Sequence, residues 1–363
     1  MVCVKEERTG SVPGIDGTVS VPDTLTRIRR YYYDYRGNVI QIKELDSDGW
    51  SACYSTRYDF AGNVTGTLES HTSPQDLTHC VKTLRTLDQR GNVLSEEIYA
   101  DGILLTETDY GYDALMRPVS KTTGSVSETT AYDIRSWQTG LTARRGTDVI
   151  YSETLGYMDT TSVNLPARWT GLISESVTQH CGLSARTDSY VYDAVGRLTS
   201  SNLENNISYD ANGNVTALRR LSATGATLAN LSMSYAGNRL QSVTNTGTED
   251  TGTFSYSYDS SGNLTTDTRN RLQIQNNVLN LPMRVNQSGT MGGTMTYTYL
   301  GDGTRVAARA GADASSHAGK RYRGSFVYDV TSGGVQSLES VAVSTGRLIA
   351  LTGTNGAVSF ESD

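Results

Sequence analysis

The sequence predicts an all-β protein, one long, twisted antiparallel sheet written as a series of hairpins. Three observations carry this. A short unit recurs along the chain: Tyr-Asp, two variable residues, Gly, Asn or Arg, then an apolar residue. The stretches leading into that unit alternate apolar and polar residues with period two, the mark of a half-buried strand. The composition suits sheets and turns, with 22 Tyr against 4 Phe and 3 Trp, and 36 Gly against 6 Pro in 363 residues. Tyr buries a ring while keeping its hydroxyl near water or a partner. Abundant Gly with little Pro fits tight turns between paired strands better than a disordered linker.

The unit reads "YDYRGNVIQI" from Tyr33, "YDFAGNVTGT" from Tyr58 and "LDQRGNVLSE" from Leu87. It returns as "YDAVGRLTSS" from Tyr192, "YDANGNVTAL" from Tyr209, "YAGNRLQSV" from Tyr235 and "YDSSGNLTTD" from Tyr258. Weaker copies start at Tyr112, Tyr132 and Tyr299. The copies are unevenly spaced, so the pattern is a ribbon of hairpins with variable loops rather than a strictly periodic solenoid.

Each incoming strand follows from alternation. "TFSYSYD" sets Phe254, Tyr256 and Tyr258 on one face, "LSMSY" sets Leu231, Met233 and Tyr235, and "MTYTYL" sets Met295, Tyr297 and Tyr299. Period two therefore predicts a packed row containing Tyr192, Tyr209, Tyr235, Tyr256 and Tyr258. The turn follows from side-chain chemistry. Asp opens a type I turn, where its carboxylate accepts backbone N–H groups. Gly then takes the left-handed conformation of a G1 bulge. The turn residues are Asp34 with Gly37, Asp59 with Gly62, Asp88 with Gly91, Asp193 with Gly196, Asp210 with Gly213, and Asp259 with Gly262; Gly237 stands in the shortened copy. Where Met116 replaces the glycine, a different turn or a local irregularity is expected. No stretch carries a capped helical period, and Thr, Ser, Tyr and Val between turns favour strand.

Charge and composition exclude several functions. The chain has 31 basic and 38 acidic residues, net −7, and no Lys/Arg-rich block of the kind a nucleic-acid face requires. The longest apolar run, Leu348 to Leu351, cannot cross a membrane as a helix. The first residues show no signal-peptide core. Cys3, Cys53, Cys80 and Cys181 are too few in this length to form a disulfide framework, and their oxidation state is open.

With these motifs in place, the chain resembles the YD-repeat, or RHS-repeat, proteins, over about residues 33–328, with 329–363 as terminal strands. The stretch "YDSSGNLTTDTRNRLQIQNNVLNLPMRV", Tyr258 to Val285, is similar to the end of the repeat region in Bacteroidota-type members, through Gly262, Asn263, Asp267 and Leu279-Asn280-Leu281-Pro282. "NLPAR", Asn164 to Arg168, is an echo of that step. The resemblance implies a spiralling sheet that curls into a hollow shell, a β-cocoon, around a C-terminal toxin or other polypeptide, or a part of a surface protein. It implies a secreted or cell-surface location. The paired "DPxG" motifs of self-cleaving members have no counterpart, because no Asp-Pro dipeptide occurs. Residues 1–363 then read as a single shell segment, either a piece of a larger polypeptide or a degenerate short member of the family.

Catalytic and metal constellations are sparse. His79-Cys80 and His180-Cys181 each pair two zinc-binding residue types, but strand neighbours point to opposite faces and no CxxC or HxxxH accompanies them. The four histidines, His71, His79, His180 and His317, join no recognisable catalytic motif. The carboxylates Asp34, Asp59, Asp113, Asp133, Asp193, Asp210 and Asp259 could pair as in a glycosidase, but each already occupies the turn position. "GDGTR", Gly301 to Arg305, follows a strand with no helix after it, which argues against a phosphate cradle. Tyr and Arg rows could stack sugars. The expected function is therefore a non-enzymatic scaffold without cofactor or metal. As partners the resemblance implies the rest of its own polypeptide and an enclosed toxin domain. Adhesion through glycans is the alternative.

Overall fold

The computed structural model describes residues 2–8, 26–75, 77–157, 170–290, 292–311, 318–352 and 358–362. Every regular element among them is a β-strand, and no helix is present in these residues. The protein is all-β, in antiparallel ladders that join strands adjacent in sequence. The Asn164–Arg168 echo and His317 lie outside the described residues. The chain divides into two compact units: Met1–Asp109 with Leu272–Asp363, and Tyr110–Arg271.

In the first unit, Thr26–Tyr33, Val39–Asp46, Ser51–Tyr58, Val64–Thr72, Thr78–Leu87 and Val93–Ala100 pair in chain order. Short turns leave each strand no nearer partner than its predecessor. A second series runs from Leu272–Asn276 through Gly319–Arg323, Phe326–Val330, Gln336–Val343 and Gly346–Thr352 to Val358–Ser362. Pairing of Arg321 with Tyr328 and of Arg323 with Phe326 puts these side chains on one face, together with Leu338 and Val341. That face packs on the first series. Trp50, Val81, Ile98 and Ala100 meet Phe326, Tyr328, Leu338, Val341 and Leu348 in one apolar cluster. Trp50 and Tyr328 touch edge to face at 5.0 Å between centroids. Fully burying one such side chain stabilises by about 1.5–3 kcal/mol.

The second unit holds the remaining hairpins, from Pro118–Thr123 to Leu264–Asp267. Its burial is shallower. Strand Gly252–Tyr258 alternates half-buried and exposed residues along its length, with Phe254, Tyr256 and Tyr258 on the half-buried side. Ile207 and Val243 are its buried aliphatic anchors, and Trp137 packs on Tyr157 at 5.1 Å.

One irregularity recurs in both units. The ladder shifts just before the motif tyrosine: Tyr32 opposes Gln41, but Tyr33 opposes Val39, leaving Ile40 as an extra residue. The same shift occurs at Tyr58, Leu87, Tyr132, Tyr258 and Tyr299. A bulge at a fixed place in each hairpin bends the outgoing strand and raises its twist.

Candidate functional site

The repeated turns are the most distinctive chemical feature of the molecule. In the copy at Tyr209, the Gly213 N–H donates to the Asp210 carbonyl at 3.1 Å and the Asp210 N–H to the Asn214 carbonyl at 3.0 Å. The Asp210 Oδ1 accepts the N–H groups of Asn212 and Asn214, both at 2.9 Å. Its Oδ2 accepts the Asn214 side-chain amide at 2.8 Å. Both carboxylate oxygens are thus engaged by the turn itself. Asp34, Asp59 and Asp88 repeat this set with Asn38, Asn63 and Asn92, and Asp259 takes both groups of Asn263. In Asp113 and Asp193 the guanidinium Nε of Arg117 or Arg197 replaces the amide, at 2.7 and 2.6 Å. The Asn or Arg after the glycine is therefore a clamp on the aspartate, a role that strand periodicity does not reveal.

These bonds hold the aspartate carboxyls below the usual carboxylate range. The Asn side-chain amide is the main cause for Asp34, Asp59, Asp88, Asp210 and Asp259. The backbone N–H of the Arg leads for Asp113 and Asp193. A carboxylate so placed is a poor general acid, since it resists protonation.

The glycines Gly37, Gly62, Gly91, Gly196, Gly213 and Gly262 have φ of 88°, 92°, 90°, 89°, 86° and 91°. A Cβ on Gly213 would meet nothing within 4 Å, so the residue is required by backbone conformation and not by space. Gly237 differs. It opens a two-residue turn between Ala236 and Arg239, with φ 61°. The turn at Met116 corrects the expectation of an irregularity. Met116 adopts φ 63°, its N–H donates to the Asp113 carbonyl at 3.0 Å, and the same turn forms. Left-handed backbone costs a non-glycine residue roughly 1–2 kcal/mol, which the clamp of Asp113 by Leu115, Arg117 and the Arg117 guanidinium offsets. The Leu279-Asn280-Leu281-Pro282 step is one more copy, with Asn277 in the aspartate position and Asn280 at φ 60°.

The motif tyrosines make a second recurrent contact. The Tyr258 hydroxyl donates to the Leu240 carbonyl at 3.0 Å, Tyr235 to Val215 at 2.9 Å, Tyr209 to Leu198 at 2.6 Å and Tyr192 to Ile173 at 2.7 Å. Tyr58 reaches Val39, Tyr132 reaches Pro118 and Tyr299 reaches Pro282 in the same way. Tyr157, which the sequence reading did not mark, reaches Gln138 at 2.6 Å. In six of the eight the acceptor is the first residue of the preceding outgoing strand; Leu240 is the second of its strand and Ile173 lies two residues before its own. There the ladder to the next strand has stopped two residues short, as at Ser242–Ser255 beside Leu240. The hydroxyl thus satisfies a carbonyl that the bulge removes from the sheet. All five tyrosines of the expected row are half-buried. Four of them make this contact, while Tyr256 lies within its strand without it.

Neighbouring turns also touch. The Arg117 guanidinium donates to the Asp133 carbonyl at 3.0 Å and lies 4.7 Å over the Tyr132 ring. Arg197 lies 4.5 Å over Tyr209. Elsewhere, His79 Nδ1 contacts Asp101 at 2.8 Å and the Cys80 N–H donates to the same carboxylate. His180 packs on Tyr151, and Cys181 is exposed. Cys53, Cys80 and Cys181 are free thiols, and burial raises the Cys80 thiol above its ordinary value. Among the described residues no three His, Cys, Asp or Glu side chains group as metal ligands, and no helix is long and apolar enough to cross a membrane.

No family model matches the chain, and no curated protein matches it. Among solved structures, it aligns with the crystal structure of TcdB2-TccC3-Cdc42 at TM-score 0.41 and 13% identity, over 93% of this chain. The chain spans 21% of that protein's length. A porin-like protein from Bacteroides uniformis aligns at TM-score 0.20 and 10% identity, over 92% of each chain. At these values neither likeness establishes a shared fold.

Proposed function

We propose that the chain is a structural segment of a YD-repeat shell that encloses or presents another part of its own polypeptide, such as a C-terminal toxin domain. The supporting observation is that the aspartates and tyrosines of the repeat are spent on construction. Seven of the turn aspartates, Asp34, Asp59, Asp88, Asp113, Asp193, Asp210 and Asp259, have both carboxylate oxygens engaged by their own turns, and seven motif hydroxyls reach the neighbouring hairpin. The conspicuous polar groups of the repeat therefore build a sheet and leave no pair of carboxylates poised for acid–base work. On this reading the chain is not an enzyme, and the full protein acts outside the cell that makes it.

Limited proteolysis of the full-length product against this segment tests the proposal. A cargo polypeptide resistant to protease only in the full-length protein supports enclosure. Equal cleavage in both removes the shell and leaves adhesion as the reading. Turnover of a glycan, ester, peptide or nucleic acid by the purified chain, lost on changing one His or Asp, overturns the non-enzymatic assignment.

A further inference from the structure

The apolar cluster of the first unit is flanked by buried charge. Arg27, Asp46 and Arg323 are each 4% exposed. Asp46 accepts Arg27 Nε at 2.7 Å and Nη2 at 3.0 Å, and is paired with Arg323 from the second strand series. Asp48 takes Arg323 at 2.8 Å and Arg321 at 3.2 Å. The Arg323 guanidinium lies 4.4 Å over the Trp50 ring. At the hairpin tip that follows, Gly324 turns with φ 56°, and a Cβ there would press on the Glu69 carboxylate. Ser325 then gives its N–H and hydroxyl to the two oxygens of Glu69, at 2.9 and 2.8 Å. His71, 2% exposed, holds Glu69 at 2.8 Å from the side and packs on Phe326 at 4.6 Å.

We propose that Asp46–Trp50 and Arg321–Ser325 form a registry lock, a charge-coded contact that selects which hairpins of the first unit close on which others. The need arises from the repeat itself. Hairpins built on one pattern present similar apolar rows, so apolar packing alone discriminates poorly between neighbouring registers. The lock is unique. Asp-x-Asp occurs once in the 363 residues, at Asp46 and Asp48. It meets Arg-x-Arg at Arg321 and Arg323 with the same two-residue step, and Gly324 is a tip whose φ of 56° favours glycine. A closure displaced by two residues buries these charges unpaired. Replacing a whole buried ion pair by apolar residues is often neutral or stabilising, so such a pair serves selection better than stability. The lock holds whatever the unit encloses, and so does not rest on the cargo reading.

The test separates register from stability. Spin labels at Leu77 and Val335, 65% and 67% exposed on either side of the closure, are placed on a cysteine-free full chain. The parent gives one interspin distance. Arg27→Met, Asp46→Leu and Arg323→Met together remove the whole buried triad and leave Glu44 its Arg29 at 2.5 Å and Asp48 its Arg321 at 3.2 Å. That variant is expected to keep its thermal midpoint but to gain further distance populations. They are displaced by about 7 Å for a two-residue slip, at a rise of ~3.4 Å per residue. The Val341→Ala control, at a 0% exposed core position, should lower the midpoint and keep a single distance. A single unchanged distance in the apolar triple variant overturns the proposal, as does equal broadening in Val341→Ala. Should the triple variant not fold by circular dichroism, Asp48→Asn with Arg321→Gln at the outer part of the lock reads the same way.

Discussion

The hydroxyl of Tyr258 donates to the backbone carbonyl of Leu240, 3.0 Å away and 18 positions earlier in the chain. This contact explains why the repeat is written with tyrosine and not phenylalanine. The ring packs on its strand face, and the hydroxyl closes a hydrogen-bond vacancy that the previous hairpin's bulge creates.

Tyr258→Phe should therefore destabilise by about 0.5–1.5 kcal/mol, the net worth of one hydrogen bond. Tyr209→Phe and Tyr235→Phe should do the same, and the losses should add for well-separated sites. Tyr256→Phe, at a tyrosine without the contact, should be close to neutral. Urea denaturation midpoints check this. Equal effects at positions 256 and 258 would show that the carbonyl contact contributes nothing.

Met116→Gly should stabilise the protein. The residue sits at φ 63° in a turn where Gly37, Gly62, Gly91, Gly196, Gly213 and Gly262 have φ 86–92°. Relief of roughly 1–2 kcal/mol of backbone strain is partly offset by the greater freedom of glycine in the unfolded chain. A raised thermal midpoint is expected, and a lowered one would mean that the methionine side chain contributes packing that outweighs its strain.

Gly213→Val should cost on the order of 1–3 kcal/mol, through β-branching at positive φ. Asn212→Ser next to it should cost little, because Asn212 contributes its backbone N–H to the turn. Since no atom crowds the Gly213 site, Gly213→Asn should fall between the two. Thermal midpoints that do not follow this order would remove backbone conformation as the cause.

Acid should loosen the turns together. The folded-state carboxyls of Asp34, Asp59, Asp88, Asp113, Asp193, Asp210 and Asp259 are lowered, so unfolding near their range takes up protons. Their contribution is full above the unfolded value of about 3.9 and is lost as pH falls through the lower folded values. Stability should thus be flat from about pH 7 to 5 and fall steeply below about 4. Asp210→Asn, which copies the chain's own Asn277 turn, should make the fall shallower. An unchanged slope in a pH series of thermal melts would separate the clamp from acid unfolding.

What could be read from the sequence was what local chemistry decides. Asp34 and Gly37 lie three positions apart, and their turn follows from a carboxylate, two N–H groups and one positive φ. The strand faces of Phe254, Tyr256 and Tyr258 follow from alternation alone. Three features escaped. The clamp by Asn214 was hidden because alternation assigns that residue to the start of the outgoing strand, which in the structure begins one residue later at Val215. The Met116 turn kept its shape because several hydrogen bonds outweigh one strained residue. The pairing of Asp46 with Arg323 spans 277 positions, and no local pattern connects a turn aspartate to an arginine on a distant strand. The repeat explains how each hairpin is made, and the exceptions to it explain which hairpins meet.

The tyrosine contacts have a mechanical consequence. Each joins a hairpin only to the one before it, as Tyr235 joins Val215 and Tyr258 joins Leu240. A tensile load applied at one end of such a series falls on one clasp at a time, because nearest-neighbour coupling passes little of it further along. Within each unit the ribbon should then peel in hairpin-sized steps under pulling. Each freed hairpin can snap back while its neighbour still stands as a template.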